Sequence, residues 1–366
     1  MNQQAGIYIH VPFCAQKCPY CDFYSGHYTK ADAERYADAL CRNLAQLPEQ
    51  LAADTVYFGG GTPSLLPTDV LDRMLSVIRE RCVLAADAEI TLEANPLTVT
   101  QRNLTAWLQT GINRLSLGVQ SFQPDVLQIL GRRHTPQQAT AAVLRAAEAG
   151  FRNLSLDLMC GLDIQTAECW QADLAEAAAL PVTHISSYLL KIEPHTPFGQ
   201  HPPSLADPDD TADRWLQMHH FLTAQGFLHY EISNFAKPGF ESRHNCKYWK
   251  LMPYYGFGPA AHSCFDGKRY AVPRDLEAFC STPLQPAECT EPNACTESER
   301  IMLGMRLADG ICLSDIPASR EQLLRRAKPL IPQYLIHEND CLRMTPEGWL
   351  VSNAVLVRLL DGLDPE

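Results

Sequence analysis

Six short runs rich in β-branched, aromatic and aliphatic residues punctuate the first two-thirds of the chain. Each is followed by a longer stretch with apolar positions at helical spacing. The runs are GIYIHVPF (6–13), DTVYFGGG (54–61), AEITLEAN (88–95), NRLSLGVQ (113–120), NLSLDLMC (153–160) and HISSYLLK (184–191). Segments such as ADAERYADALCRNLAQL, PTDVLDRMLSVIRERC and PQQATAAVLRAAEAG read as the helices between them, with stop signals at Gly150 and Pro181. Strands alternating with helices build βαβ units on a parallel sheet. Six such units without a G-x-G-x-x-G turn predict an α/β fold, an incomplete (β/α)6 barrel rather than a dinucleotide-binding sheet. Its polar and glycine-rich residues gather at strand ends, where βα loops build a site.

The last third has a different texture. A Pro- and Asp-rich stretch (194–210) predicts a loop, and STPLQPAECTEPN (281–293) predicts a linker. Beyond it the pattern predicts helices over 297–307 and 319–335, a strand-and-turn in CLRMTPEGWLVSN, and a helix over 353–360. That order suggests a smaller, mainly α, winged-helix-like module at about 295–366. The expected domains are a barrel over 1–240 and a C-terminal domain over 241–366, the latter opening on the segment RHNCKYW.

A chain of 366 residues with 46% apolar content is large enough for a barrel and a second domain. No apolar run is long enough to predict a membrane-spanning helix. The start, MNQQAGIYIHVPF, lacks the basic flank and long apolar stretch of a signal peptide. A formal charge of −12, with no basic stripe, argues against nucleic-acid binding. The fourteen cysteines are scattered, which in a chain without an export signal reads as reduced thiols in a cytosol.

One cysteine group is tight. Cys14, Cys18 and Cys21 fall within eight residues on the predicted loop after the first strand. Three thiolates there can wrap one face of an iron–sulfur cluster, and most clusters take four. The iron left without a protein ligand can chelate the amino and carboxylate groups of S-adenosylmethionine. The competing reading is a structural zinc knot, which needs a fourth ligand such as His10 or His27. Farther along, Gly59-Gly60-Gly61-Thr62-Pro63 lets backbone approach a ligand closely. Glu93 and Gln120 end their strands and Asp157 lies in the fifth; such polar groups need partners at a barrel mouth. Arg132 could pair with a carboxylate, and Arg133 competes for that role.

The CxxxCxxC spacing, with Tyr20 before its last cysteine, accompanies YIHVPFC, CPYCDF, YFGGGTPS, RLSLGVQSF, DLMCGL and HNCKYW. Together these words, spread over nearly the whole chain, resemble the radical-SAM proteins of the oxygen-independent coproporphyrinogen dehydrogenase family, and within it the HemW-type heme-chaperone branch. The resemblance implies a radical-SAM barrel with a 4Fe-4S cluster on Cys14, Cys18 and Cys21. It implies S-adenosylmethionine contacts at Tyr8, Tyr20, Gly60, Gly61, Thr62, Glu93, Gln120, Arg132 and Asp157. Asp163 departs from the family's usual Gly-Leu-Pro and bears only on the loop that follows.

Three features favour the chaperone branch. Phe23 stands where the dehydrogenases resemble CxxxCxxCxC, only thirteen residues precede Cys14, and HNxxYW is present. In that element His244 offers an imidazole for heme iron, with Cys246, His262 and Cys264 as other candidates. Tyr248 and Trp249 offer flat apolar surfaces, and Arg243, Lys247 and Lys250 a basic patch for propionates. The implied function is a cytoplasmic heme chaperone that hands heme to an acceptor protein, a membrane-bound respiratory protein being one candidate, and homodimerisation is compatible with it. No catalytic residue is assigned. The alternative is the dehydrogenase itself, which decarboxylates two propionates of coproporphyrinogen III oxidatively.

Overall fold

The computed structural model describes residues 4–363; residues 1–3 and 364–366, at the ends of the two expected domains, lie outside the described residues. All six predicted runs form strands: β1 (Ala5–Val11), β2 (Leu51–Gly60), β3 (Cys82–Ala94), β4 (Arg114–Gln120), β5 (Asn153–Cys160) and β6 (His184–Leu189). They lie side by side in chain order, each parallel to the next. Helices α1 (Lys30–Leu44), α2 (Thr68–Arg81), α3 (Gln101–Gln109), α4 (Pro136–Ala149) and α5 (Ala167–Ala179) cross between them.

Local chemistry fixes these elements. In α4, Thr135 and Gln138 exchange side-chain and backbone hydrogen bonds in a capping box. Pro136 occupies the first turn, and Gly150 ends the helix at φ 116°. In the strands the side-chain period of two separates two faces. Ile7, Ile9 and Val11 of β1 are fully buried in the apolar core beneath the helices. Tyr8 and His10 point the other way, into the concave side of the sheet.

The sheet does not stop at the sixth strand. After α6 (Pro208–Ala224), β7 (Leu228–Glu231) and β8 (Asn234–Ala236) add antiparallel to the β6 edge. On the other edge β9 (Tyr254–Phe257) lies parallel to β1, with Gly6 opposite Tyr254 and Ile9 opposite Phe257. Beyond it come β10 (His262–Phe265), β11 (Lys268–Ala271) and β12 (Glu288–Glu291), giving twelve strands in one sheet. The strands before and after residue 240 thus share one sheet, on its opposite edges. The expected linker 281–293 contributes β12, because its backbone satisfies the free edge of β11; an edge position tolerates the nearby Pro283 and Pro286 that made the segment read as a loop.

The C-terminal module holds α8 (Glu297–Gly304), β13 (Ile311–Cys312), α9 (Arg320–Ala327), β14 (Leu335–Glu338), β15 (Cys341–Met344), α10 (Pro346–Leu350) and α11 (Ser352–Leu360). The helix expected over 319–335 ends at Ala327, where Pro329 and Pro332 cannot continue it, and β14 takes up its tail. The module docks on the barrel through Trp349, whose ring meets Trp215 edge-on, while its indole N–H donates within the module to the Met305 carbonyl at 3.1 Å. Among the described residues no helix is long and apolar enough to cross a membrane.

Candidate functional site: a cysteine loop at the mouth of a polar lumen

Cys14 lies just beyond β1, on a two-residue strand, Phe13–Cys14, that pairs with Gly26–His27. The Tyr28 N–H returns to the Cys14 carbonyl at 3.1 Å, so the loop carrying Cys18 and Cys21 is closed at its base. The glycine turn after β2 is laid against this chain. Gly61 N–H donates to the Val11 carbonyl at 2.8 Å and Thr62 N–H to the Phe13 carbonyl at 2.7 Å. A Cβ on Gly61 would stand 2.5 Å from the Phe13 oxygen. Gly60, at φ 102°, would place one 2.6 Å from the His10 ring. Only glycine permits this approach.

Two expected residues touch the cysteine sulfurs. The Thr62 hydroxyl donates to Cys14 Sγ at 3.5 Å, and Arg132 Nη1 donates to Cys18 Sγ at 3.3 Å. Arg132 is anchored by Nη2 on the Gly118 carbonyl at 2.6 Å, whereas its rival Arg133 is exposed. Tyr20 packs on Phe198 in a small apolar cluster with Val126, Leu130 and Met159. Burial pushes the Cys21 thiol up, with the charges of Cys18 and Cys14 adding to the effect; a bound iron would instead hold the thiolate form. These donors aimed at sulfur suit a 4Fe-4S cluster, in which each thiolate takes its own iron. Of the two histidines the zinc-knot alternative could call on, His10 is already engaged. His10 engages the Tyr8 hydroxyl at 3.1 Å and the Tyr24 carbonyl at 2.8 Å.

Inside the sheet's concave face, Glu93 accepts from the Tyr57 hydroxyl at 2.8 Å and from Gly60 N–H at 3.1 Å. Burial raises its carboxyl to about 7, with Asp157 nearby contributing. Asp157, which accepts from Ser116 at 3.3 Å, is likewise raised by burial to about 6. Gln120 is held at φ 75°, a strained conformation for a residue with a side chain. Its buried Oε1 has no partner, and neither has Arg132 Nε. Two raised carboxyls and two orphaned polar atoms beside the cysteine loop fit a ligand carrying ammonium, hydroxyl and carboxylate groups.

Glu93 offers a direct check. Its folded-state value lies above the unfolded value, so its contribution favours folding at low pH and is lost as pH rises from about 4.5 through about 7. The ligand-free Glu93→Gln variant should therefore gain stability relative to the parent between pH 5 and pH 8. Urea unfolding at the two pH values measures this; an unchanged difference would refute the raised carboxyl.

Several site residues were missed from sequence. His195 Nε2 and Arg274 both grip the carboxylate of Asp22, next to Cys21, and hold it below the usual carboxylate range. They come from loops with no sequence signal. Arg114 is buried in the lumen, with Nε and Nη1 unpartnered, near Glu89 and Asp157. Here a signal existed: Arg114, Ser116, Gly118 and Gln120 alternate with core residues Leu115, Leu117 and Val119.

The segment RHNCKYW forms α7 (Arg243–Trp249), whose first N–H groups are capped by the Glu89 carboxylate. His244 is fully buried, stacked on Tyr57, with Nδ1 bonded to the Thr55 hydroxyl and Nε2 to the Tyr248 hydroxyl, both at 2.8 Å. Burial lowers its pKa to about 3. Neither ring nitrogen is free for iron in this arrangement. Two of the three residues of the expected basic patch are spent internally, and Lys250 stays exposed. Lys247 pairs with Asp54 at 2.6 Å, and Arg243 with Asp87 at 3.1 Å and Asp54 at 3.4 Å. Tyr248 and Trp249, by contrast, line a cleft of about 280 Å³ with Tyr254, Cys264, Arg269 and Met302.

Residues 8–177 match the Radical SAM superfamily, and residues 298–351 match the HemN C-terminal domain. The heme chaperone HemW of Synechocystis sp. is 39% identical over 85% of this chain and 80% of its own length. The chain belongs to the HemW family. A second member, the heme chaperone HemW of Escherichia coli, is 44% identical over 70% of this chain and 69% of its own. In architecture the chain follows the solved Escherichia coli coproporphyrinogen III oxidase HemN, with a TM-score of 0.82 over 98% of this chain and 90% of that one. At 22% identity, that likeness is one of fold. The radical-SAM core takes a 4Fe-4S cluster and S-adenosylmethionine, and the sulfur-directed donors and orphaned lumen groups above are compatible with both.

Proposed function

We propose that this chain is a heme chaperone: it binds heme and passes it to an acceptor protein, with Cys14, Cys18 and Cys21 holding the cluster. The observation that carries this reading is the identity with HemW proteins across most of the chain. Phe23, exposed on the cysteine loop where the dehydrogenases have a fourth cysteine, supports it. The cluster supplies an electron to S-adenosylmethionine when both are bound. Tyr8, Gly60, Gly61, Thr62, Glu93, Gln120, Arg132 and Asp157 orient that ligand, and Tyr20 packs behind the loop. Fourteen free thiols support a reducing, cytoplasmic setting.

On this reading heme lies in the cleft walled by Trp249 and Tyr254, with His244 supporting that wall from below through the Tyr248 hydroxyl. Heme titration followed at the Soret band tests both levels. The parent chain should bind saturably, and Trp249→Ala should weaken binding about tenfold or more, as loss of a central aromatic anchor does. His244→Phe should leave affinity within a few-fold. No saturable binding by the parent would sink the chaperone reading. Loss of binding in His244→Phe alone would return the iron to His244.

A further inference from the structure

Two pairs of cysteines outside the cluster loop stand sulfur to sulfur. Cys312 and Cys341 are 3.2 Å apart, and Cys264 and Cys295 are 3.7 Å apart. They differ in access: Cys312 is exposed and Cys341 half-buried, whereas Cys264 is buried within the sheet.

The first pair is set by strand register. β14 and β15 are joined by the two-residue turn Asn339-Asp340, with φ of 50° and 63°. Positive φ at both positions marks a hairpin turn of fixed twist, so Cys341 begins β15 at a defined place. On its other side β15 pairs with β13, Ile311 opposite Leu342 and Cys312 opposite Cys341. The Leu313 N–H donates to the Asp340 carbonyl at 2.8 Å. That bond makes 313 and 340 a hydrogen-bonded pair and leaves 312 and 341 as the non-hydrogen-bonded pair between rungs. Such pairs bring side chains closest, with Cα atoms about 4.5 Å apart, inside the window of roughly 4.4–6.8 Å that a disulfide spans. Closure needs only a small side-chain movement.

We propose that Cys312 and Cys341 form a reversible redox-modification site in the C-terminal module, cross-linked by exchange with small disulfides such as glutathione disulfide. The thiolate of one cysteine attacks the small disulfide, forms a mixed disulfide and expels one small thiolate. The second cysteine, as thiolate, attacks the protein sulfur of that mixed disulfide and expels the other. One Sγ–Sγ bond forms, two protein thiol protons are released to the leaving thiolates, and the small disulfide is reduced to two thiols. The exposed sulfur gives the reagent its entry, and the partner 3.2 Å away resolves the adduct before a second equivalent arrives. Cys264 and Cys295 serve as an internal comparison. Cys264 is buried where Cys312 is exposed, which shields it from the reagent, so this pair should react more slowly.

The test uses the full-length chain, anaerobically purified, incubated with glutathione disulfide, quenched by alkylation and mapped as unreduced peptides. The expected product is a linkage between the peptides bearing Cys312 and Cys341, removed by dithiothreitol and formed ahead of any 264–295 linkage. Cys312→Ser should leave a stable glutathione adduct on Cys341 and no linkage. The cross-linked chain should melt several degrees higher, since the bond closes a loop through α9. Separate adducts or free thiols on both residues of the parent would overturn the proposal. So would cross-linking of 264–295 at an equal or faster rate.

Discussion

Replacing His244 by alanine is expected to cost about 3–5 kcal/mol of folding stability, the scale for deleting a buried ring and leaving its hydrogen-bond partners unmet. The ring is fully buried and packs against Tyr57, Tyr8 and Tyr248, so its removal opens a cavity among large side chains. Removing it strands the Thr55 and Tyr248 hydroxyls, each now bonded at 2.8 Å. His244→Phe fills the space but strands the same two hydroxyls, so it should cost less than the alanine variant without being neutral. The pH dependence separates the two roles of the ring. Its folded pKa of about 3 lies below the unfolded value, so the unfolded chain takes up the proton first. His244 therefore destabilises the fold progressively as pH falls from about 6.5 towards 3, and imposes no such penalty above about 6.5. His244→Phe should remove that part of the acid sensitivity. Urea unfolding from pH 4.5 to 7.5 reads both effects. A cost under about 1 kcal/mol for His244→Ala would show that α7 is not held by this residue.

Changing any one of Cys14, Cys18 and Cys21 to serine is expected to abolish the whole cluster rather than a share of it. A cluster with three protein anchors has no spare ligand. Arg132→Leu should act on the same chemistry more gently. It removes the donor on Cys18 Sγ and the tie to the Gly118 carbonyl. Loss of such an outer partner typically lowers metal affinity about 10–100-fold. Cys160→Ser is the control, since Cys160 is buried in the core away from the loop; it should cost stability but retain iron. Iron and sulfide content with the visible absorption of anaerobically purified protein measures all five variants. Full iron in any of the three cysteine variants would remove that residue from the ligand set.

The two predictions separate residues with one apparent kind of signal. His244 and Cys18 both sit in short, recognisable words of the sequence. One is locked inside the lumen with every polar atom satisfied; the other lies on a loop with donors aimed at its sulfur. Nothing in spacing distinguishes these cases, because burial comes from elements far away in the chain: Thr55 reaches His244 from β2 and Arg132 reaches Cys18 from the far side of the barrel.

The sequence by itself determined what depends on neighbours along the chain. Periodicity and stop signals located all six parallel strands, because a half-buried strand and an amphipathic helix write their burial into local order. The cysteine spacing and the glycine turn were legible for the same reason: loop reach and backbone freedom are local properties. Tertiary structure alone decided what depends on distant partners. It added four strands between 254 and 291 to the sheet, the first of them on the free edge of β1. It consumed Arg243 and Lys247 in ion pairs with Asp54 and Asp87, turned His244 inward, and set Cys312 beside Cys341. Each of these follows from closure between segments from 29 to some two hundred residues apart or more, beyond any local window of sequence.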